Sequence, residues 1–403
     1  MNPLNHIFRG LADTGIAFRN ELRVITGDLG VMLFFIFLPV AYPIIYTVIY
    51  NTEVVENLPI AVVDHSRTPE SRELARKVDA TPELNVYAYP ANMADAKRLW
   101  AERKIFAVLE IPADYATCIN RGEQANATYF SDMSLLLRYR AALSALTSVQ
   151  LDLGSEITAH RINTVGLPLQ NVSASPVNID TNFLGDTQQG FASFIMPGIV
   201  ILILQQSMVL GICLIAGTSR ERISRGGCSA YDRTDAALGA VSGTLGKALA
   251  YVFFYIPATL YILHYVPEWF NLPHQGDALQ WCLFVLPFLF ASAMFGLTLA
   301  PLMRRREDCF IYIVFTSVVF LFLSGLTWPR YAMNGFWHSV ADIVPATWGV
   351  EGFVRINSNA GTLAQQSLPY LWLWGLTAAY FITAVVLRRV NRCGMSIKIR
   401  KSV

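Results

Sequence analysis

Six long apolar segments constrain this chain more than any other feature of its sequence. A helix that crosses the hydrocarbon core of a bilayer needs about 20 apolar residues, since it rises about 1.5 Å per residue. The composition agrees, because only 15% of the residues are charged, against about a quarter in soluble proteins. We therefore predict an α-helical membrane protein with six transmembrane helices, at Leu29–Tyr50, Phe191–Gly217, Ala237–Val266, Ala278–Met303, Cys309–Thr327 and Leu368–Leu387.

The arginine and lysine residues predict which ends of these helices face the cytoplasm. They concentrate before the first segment, between the second and third, between the fourth and fifth, and after the sixth. The opposite short loops carry only Arg330 and Arg355. Because positive charge is retained on the cytoplasmic side, we expect both termini in the cytoplasm.

The segments outside these helices predict the remaining domains. Residues 1–28 carry apolar and charged positions at helical spacing, which is typical of an elbow helix in the membrane interface. A solvated charged helix is the alternative. Residues 51–190 are expected to form an extracytoplasmic α/β domain inserted between the first two transmembrane helices, since long domains cross the membrane regardless of their charge. Residues 391–403 are expected to form a basic cytoplasmic tail.

Short apolar strands alternate with helices in the inserted domain. Strands are predicted at 60–64, 85–89, 106–112 and 127–132, and helices begin after Thr68 and after Asn92. This alternation predicts parallel pairing with right-handed crossovers. A long amphipathic helix is expected from Ser134 to about Arg161, and residues 168–189 are typical of a linker.

The motifs of known chemistry are not found in this sequence. A stretch that superficially resembles a phosphate loop, Gly239–Ala250, has Val241 and Ala248 where a Walker A motif needs glycine and serine or threonine. No pair of cysteines has zinc spacing, and a net charge of +2 provides no strongly basic surface for nucleic acid. We expect no enzymatic activity in this polypeptide alone, no directly bound cofactor or metal, and no nucleic-acid partner.

Polar residues inside the apolar segments are candidates for function, since they are costly there. Gln205 and Gln206 lie midway along the second segment, where they either contact a transported substrate or hydrogen-bond between helices. Lys247 lies one turn inside the third segment, and we expect its side chain to snorkel to the interface. No carboxylate lies deep in a segment, which weakens the case for a proton-coupled carrier.

Several stretches carry a resemblance to a known family. They are LPIAVVDHSRTPESRELARKVDATPELNV, KIFAVLEIPADYATCINRGEQANATYFSD, FIMPGI with Pro197-Gly198, SRER before LGKALAY with Glu221 and Lys247, and FLSGLTWPRYAMNGFWHSVADIVPATWGVEGFVR with Gly325, Pro329, Pro345 and Arg355. In this order they resemble the membrane subunits, or permeases, of type-2 ABC exporters that have a large outer domain after the first span. The resemblance covers nearly the whole chain.

The resemblance implies a permease that moves an amphiphilic or hydrophobic substrate, such as a drug, a lipid or a polymer, out of the cytoplasm. Separate ATP-binding subunits would hold ATP and Mg²⁺ and carry out the hydrolysis. Two permease copies, identical or related, would face each other in the lipid bilayer across a pathway lined by the second and fifth helices, and a periplasmic adaptor protein is a further implied partner. A receptor or scaffold with a ligand-binding outer domain and a proton-coupled carrier are the alternatives.

The resemblance also implies three groups of site residues. Docking of the ATPase is expected at Arg220, Glu221, Arg222, Arg225, Arg304, Arg305 and Arg306. The substrate would pass Gln205, Gln206, Phe322 and Leu326. A re-entrant hairpin at about 328–352 would form an outer gate that includes Gly325, Trp328, Pro329, Pro345 and Trp348. The docking segment of the family is normally helical, and Gly226-Gly227 would interrupt that helix here.

Overall fold

The computed structural model of the chain describes residues 3–50, 55–131, 136–164, 190–272 and 274–401. The chain divides into two compact units, one formed by residues 1–51 and 183–403 and the other by residues 52–182. We call them the helical unit and the inserted unit. Each contains a hydrophobic core of its own.

The helices and strands have the following bounds in chain order. The helices are α1 (Pro3–Gly27), α2 (Leu29–Ile49), α3 (Pro69–Asp79), α4 (Met93–Ala101), α5 (Tyr115–Arg121), α6 (Leu136–Thr164), α7 (Phe191–Ser224), α8 (Ala230–Ala237), α9 (Ala240–Trp269), α10 (Ala278–Leu302), α11 (Asp308–Leu323), α12 (Gly335–Ile343), α13 (Pro345–Asn357) and α14 (Ser367–Lys401). The strands are β1 (Leu58–Asp64), β2 (Leu84–Ala88), β3 (Ala107–Ile111) and β4 (Thr128–Ser131).

Five of these helices are long and apolar enough to cross a bilayer: α2, α7, α9, α10 and the part of α14 that ends at Val390. The prediction of an α-helical membrane protein is therefore confirmed. The predicted fifth transmembrane helix is shorter than expected, because α11 ends at Leu323 and Gly325 has a φ of +88°. Its 16 residues rise about 24 Å, less than the hydrocarbon core of about 30 Å.

Helix α1 packs along α9 and ends where α2 begins. A Cβ atom at Gly246 of α9 would lie 2.4 Å from the carbonyl oxygen of Thr14, so a glycine is needed where the two helices touch. Asp28 separates α1 from α2 and caps α2, since its carboxylate accepts hydrogen bonds from the backbone N–H groups of Gly30 and Val31 at 2.9 and 3.3 Å. The break between the two helices therefore lies at the position predicted for the elbow.

Helix α7 is the most buried of the membrane-crossing helices, and it lies at the centre of the helical core. Phe35 of α2 packs directly onto Gly211 of α7, where an added Cβ would lie 1.6 Å from the phenyl ring. Helices α10, α11 and α13 pack against other faces of α7. A side chain at any buried position of α7 therefore lies between other helices rather than toward lipid.

The segment after the second apolar run is helical on both sides of a short break. Helix α7 continues beyond the predicted end at Gly217 to Ser224, and the chain then turns at Gly226, which has a φ of +82°. Helix α8 follows, and it begins with a capping box in which Ser229 and Asp232 bond each other's backbone N–H groups. Gly226-Gly227 thus interrupts the segment, as the sequence indicates, but a short helix forms after it.

The aromatic segment after α11 folds into the short helices α12 and α13, which follow a single 3₁₀ turn at Arg330–Ala332. Pro345 occupies the first turn of α13, where its missing N–H has no cost. Helix α13 is largely buried and packs against α7, α10 and α14. The last helix, α14, is continuous as far as Lys401, so residues 391–401 are helical.

The inserted unit contains a four-stranded sheet in the order β2-β1-β3-β4. The predicted parallel pairing is confirmed for β1 with β2 and with β3, but it is wrong for β4, which runs antiparallel to β3. Between β3 and β4 the chain forms only the seven-residue helix α5. That helix rises about 10 Å, less than the roughly 16 Å length of β3, so it does not carry the chain back to the start of β3. The predicted linker at 168–189 lies outside the described residues.

Candidate functional site

Predicted docking residues and several other charged side chains meet at one end of the helical unit, which we call the basic end. It consists of Asp28, residues 218–237, and the connection 303–307 between α10 and α11. Arg306 reaches the carboxylate of Asp28 with both terminal nitrogens, at 2.8 and 2.9 Å. The same guanidinium contacts the hydroxyl of Thr218 at 3.4 Å. One arginine therefore joins the start of α2, the end of α7 and the α10–α11 connection.

The protonation of Asp28 depends on this pairing. Burial alone would raise the pKa of Asp28, but the hydrogen bonds from Arg306 and from the N–H of Val31, together with the charge of Arg306, outweigh burial. The pKa of Asp28 is therefore lowered below its ordinary value of 3.8. Arg306 responds in the opposite direction, since its hydrogen bond to Asp28 raises the pKa of the guanidinium.

A second cluster borders the basic end, which it reaches through Tyr231. It surrounds the carboxylate of Glu21 in α1, whose side chain is 1% exposed. Its two oxygens accept hydrogen bonds from the hydroxyls of Tyr231, at 2.7 Å, and of Tyr251. Lys247 donates to the Tyr231 hydroxyl at 2.8 Å and lies 3.6 Å from Glu21. The cluster therefore connects α1, α8 and α9.

The Glu21 cluster continues to α14 through a second carboxylate. Asp235 of α8 lies 3.1 Å from the ammonium of Lys247 and 2.6 Å from the guanidinium of Arg388. Two carboxylates thus face two cations, so the cluster has no net charge when all four are ionised. Burial, followed by the charges of Glu21 and Asp235, raises the pKa of the Tyr231 hydroxyl well above its ordinary value, which keeps it a hydrogen-bond donor.

These contacts correct the prediction for Lys247. The sequence suggested that this side chain snorkels to the membrane interface, but its side chain is only 14% exposed and forms ion pairs with two carboxylates. Buried carboxylates from α1 and α8 offer the ammonium a better environment than the interface does. The acidic partner from α1 could not be assigned from the third apolar segment alone.

Most of the predicted docking residues already bond inside the protein. Arg222 pairs with the fully buried Asp232 at 3.1 Å, Arg225 pairs with Glu221 at 2.5 Å, and Arg220 donates to the carbonyl oxygen of Pro301. Arg304 and Arg305 differ, because their side chains are exposed while only their backbone N–H groups bond Asp308. Charge available for a partner at the basic end therefore includes Arg304 and Arg305.

Arg330 organises the segment at about 328–352, in which the gate residues were predicted. Its guanidinium donates to Asp342 of α12 and to Glu351 of α13, and its central carbon lies 4.2 Å from the ring centre of Trp348. Trp348 in turn stacks on Trp372 of α14, with ring centres 5.3 Å apart. One side chain therefore links α12, α13 and, through stacked indoles, α14. We call this group the Arg330 clamp.

The predicted gate residues surround the clamp in different ways. Gly325 ends α11 with its positive φ, and Pro329 begins the 3₁₀ turn that carries Arg330. Trp348 is buried inside the clamp, whereas Trp328 is 57% exposed and donates its indole N–H to the carbonyl of Ala332 at 3.2 Å. Pro345 is buried at the start of α13.

The predicted substrate-pathway residues are not brought together at one point. Gln205 is fully buried on α7, and neither its amide oxygen nor its nitrogen has a hydrogen-bond partner among the described residues. The interhelical hydrogen bond that the sequence left open for Gln205 is therefore not formed, and Gln206 also has an unpartnered nitrogen. Leu326 packs onto Gly198 of α7, while Phe322 is 57% exposed on α11.

Sequence reasoning missed two of the residues that organise these sites. Arg330 was noted only as one of two arginines in the short loops opposite the cytoplasm, although Asp342 and Glu351 are the acidic residues of the segment that follows. Glu21 was not singled out in the expected elbow helix, and the only sequence signal for its burial is its spacing from Ala17 and Ile25 on one helical face. No cluster of three or more histidine, cysteine or acidic side chains is placed to hold a metal among the residues that the structure describes.

The geometry defines a class of protein, and comparison with known families then identifies which one. The long apolar helices, with charged clusters at one end of the bundle, define a multi-pass α-helical membrane protein. The chain matches the model of the ABC-2 family transporter proteins over residues 30–386, which is well over half of its length, and it belongs to that family. A search of curated proteins found no match.

We expect Asp28→Asn to destabilise the protein only where Asp28 is ionised. Asparagine still caps α2, but it carries no charge for Arg306. Because the pKa of Asp28 is lower in the folded protein, the charged pair stabilises above about pH 4, and this contribution is lost as the pH falls through the folded pKa. Thermal unfolding is measured on the detergent-solubilised protein. The difference in unfolding midpoint between parent and variant should be constant from about pH 7 to 5 and should narrow below about pH 4.

The control for this measurement is Glu307→Gln, which removes an exposed charge from the same connection without touching Asp28. Its unfolding midpoint should follow the parent at each pH. A gap between parent and Asp28→Asn that widens on acidification would contradict the assigned ion pair.

We expect Arg330→Lys to loosen the Arg330 clamp although the charge is kept. A lysine cannot bond two carboxylates in a fork or lie flat on an indole ring. The variant should lose about 2–3 kcal/mol of unfolding free energy, with faster hydrogen exchange in α12. The matched control is Arg355→Lys, because Arg355 also pairs with Glu351 but is 52% exposed, and it should cost less than about 1 kcal/mol. Equal losses for the two variants would show that the clamp has no special role.

Proposed function

We propose that this chain is the membrane-spanning permease subunit of an ATP-driven ABC exporter. Membership of the ABC-2 family over residues 30–386 is the observation that carries the proposal. On this proposal the helical unit spans the bacterial inner membrane with both termini in the cytoplasm, and α11 acts as a shortened fifth span of six. The inserted unit would then lie outside the cytoplasm, where a periplasmic adaptor could bind it.

The basic end is the proposed docking surface for ATP-binding subunits. Arg304 and Arg305 offer exposed positive charge there, and helix α8 offers a short cytoplasmic element held by ion pairs to its neighbours. The chain itself would bind no nucleotide, since ATP and Mg²⁺ would be held and used by the partner subunit. Arg220, Glu221, Arg222, Arg225 and Arg306 would position the surface through the contacts described above rather than through free charge.

An exposed apolar stripe on α11 supports a second permease copy. Ile311, Phe315 and Phe322 are among its members, and each is more than half exposed in the single chain. The stripe recurs at helical spacing, so it forms one face of α11. In the proposed assembly this face would line the pathway between two copies, together with Leu326. Gln206 of α7 would contribute a polar group, whereas Gln205 lies buried inside the bundle of each copy. The transported substrate would accordingly be amphiphilic or hydrophobic.

The proposal predicts that an ATP-binding subunit with a Walker motif co-purifies with this chain from membranes that contain both. Arg304→Glu combined with Arg305→Glu should lower the co-purified ATPase activity roughly tenfold, since two reversed charges repel the surface that the arginines attract. The control is Lys97→Glu, an exposed charge reversal in α4 of the inserted unit, which should leave co-purification unchanged. ATP hydrolysis by the purified chain alone, or equal co-purification in both variants, would contradict the proposal.

A further inference from the structure

Several buried polar side chains of the helical unit have an atom without a hydrogen-bond partner in the part of the chain that the structure describes, and two of them lie on the facing stripes of α7 and α10. These two are Gln205 of α7, through both its amide oxygen and its nitrogen, and Ser292 of α10, through its hydroxyl. Both residues are 0% exposed. Buried polar groups in proteins nearly always have a hydrogen-bond partner, so each of these groups calls for an explanation, and a bound molecule is one.

The packing of α7 against α10 places these two residues at the same level. A Cβ at Gly349 would lie 2.6 Å from Phe288 of α10 and 3.0 Å from Ile201 of α7, which marks one level of the seam between them. A Cβ at Gly296 of α10 would lie 3.4 Å from the Cα of Val209 on α7, which marks a second level.

Gln205 and Ser292 lie midway between these two levels. Gln205 is four residues after Ile201 and four before Val209, and Ser292 stands in the same relation to Phe288 and Gly296. Residues four apart share one face of a helix. Both polar side chains therefore belong to the facing stripes of α7 and α10, about 6 Å from each marked level.

Helix α13 begins at this same level. It runs antiparallel to α10, since Gly349 packs on Phe288 and Gly352 packs on Phe284. Pro345, the first residue of α13 and four before Gly349, is therefore level with Ser292. Val344, which precedes it, is buried and provides no side-chain cap, so the amino end of a 13-residue helix lies uncapped by a side chain at the level of the two polar side chains.

We propose that Gln205, Ser292 and the amino end of α13 form a polar site inside the bundle that binds an uncharged, hydrogen-bonding oxygen of a transported amphiphile, such as a hydroxyl or carbonyl group. This inference rests on the proposed permease function. The positive end of the α13 dipole favours an electron-rich oxygen. No charged residue occurs between Phe191 and Ser219, between Ala278 and Met303, or between Pro345 and Val350. The charged residues that flank the last of these ranges, Asp342 and Glu351, are both paired with Arg330, so a fully ionised group would find no free counter-charge here.

Water carries an oxygen of the same chemistry, so the experiment distinguishes water from an amphiphile. All six natural cysteines are replaced, and Ser292→Cys is introduced into the full chain in native membranes. The control is Ala293→Cys, which is equally buried on the next residue of α10. Methyl methanethiosulfonate modifies thiolates, which form only where water reaches the sulfur. The Ser292→Cys chain should react about tenfold faster than the Ala293→Cys chain.

The second arm adds monoolein, an uncharged amphiphile with hydroxyl and carbonyl oxygens, or squalane, a hydrocarbon without oxygen. Monoolein should slow modification of the Ser292→Cys chain severalfold, whereas squalane should have no effect. Adding Gln205→Met should remove that protection, because the thioether is similar in shape but cannot replace the amide. Reaction that monoolein does not slow would show a site for water only and would overturn the proposal, as would a rate equal to that of Ala293→Cys.

Failure of this inference is distinguishable from failure of the proposed function. Cysteine modification is measured on the chain in its membrane, whether or not an ATP-binding subunit is bound. Loss of co-purified ATPase with intact protection by monoolein would contradict the exporter proposal alone. Normal co-purification without protection would contradict the polar site alone.

Discussion

Hydrocarbon offers no hydrogen bonds, so polar groups carried into a helical bundle must be paired inside the protein. The carboxylate of Glu21 illustrates this constraint, because it is buried between α1, α8 and α9 and receives two tyrosine hydroxyls. The Arg330 clamp satisfies the same constraint at the other site by giving one guanidinium two carboxylates. The Glu21 pairing joins α1, α8 and α9, and the Arg330 clamp joins α12 to α13.

The few groups that break this rule are informative for the same reason. Leaving a buried polar group unpaired costs about 1–3 kcal/mol, and Gln205 and Ser292 both carry such groups at one level of the α7–α10 seam. Both terminal nitrogens of Arg330 and both oxygens of Glu21 are paired, whereas the amide of Gln205 and the hydroxyl of Ser292 are not. This contrast separates positioning from binding.

The apolar helices could be predicted from the sequence because their signal is local. A run of about 20 apolar residues is visible without knowledge of its neighbours. Four of the six predicted segments end within a few residues of the observed ends, which are those of α2, α9, α10 and the part of α14 that ends at Val390. The shortening of α11 was missed because hydropathy continues through Gly325, although the backbone turns there. The antiparallel β4 was missed because the alternation of strands and helices does not reveal how far a short helix carries the chain.

The side-chain pairings could not be predicted, since they join residues that are distant in sequence. Asp28 and Arg306 are 278 positions apart, and Glu21 and Tyr251 are 230 apart. Their consequence for the proposed exporter is mechanical. Helix α8 is tied to α7 through Arg222, to α1 through Tyr231 and to α14 through Asp235. A partner that moves α8 would therefore move three helices together rather than one.

The central claim is that this chain crosses the membrane with its basic end toward an ATP-binding partner and its inserted unit on the other side. Cys228, between α7 and α8, and Cys118, in α5, allow this to be measured with single-cysteine chains. A membrane-impermeant maleimide should label Cys118 in intact spheroplasts and Cys228 only after the membrane is opened, and a short bis-maleimide should join Cys228 to the ATP-binding subunit. Labelling of Cys228 from outside, or a cross-link to that subunit from Cys118 instead, would contradict the account.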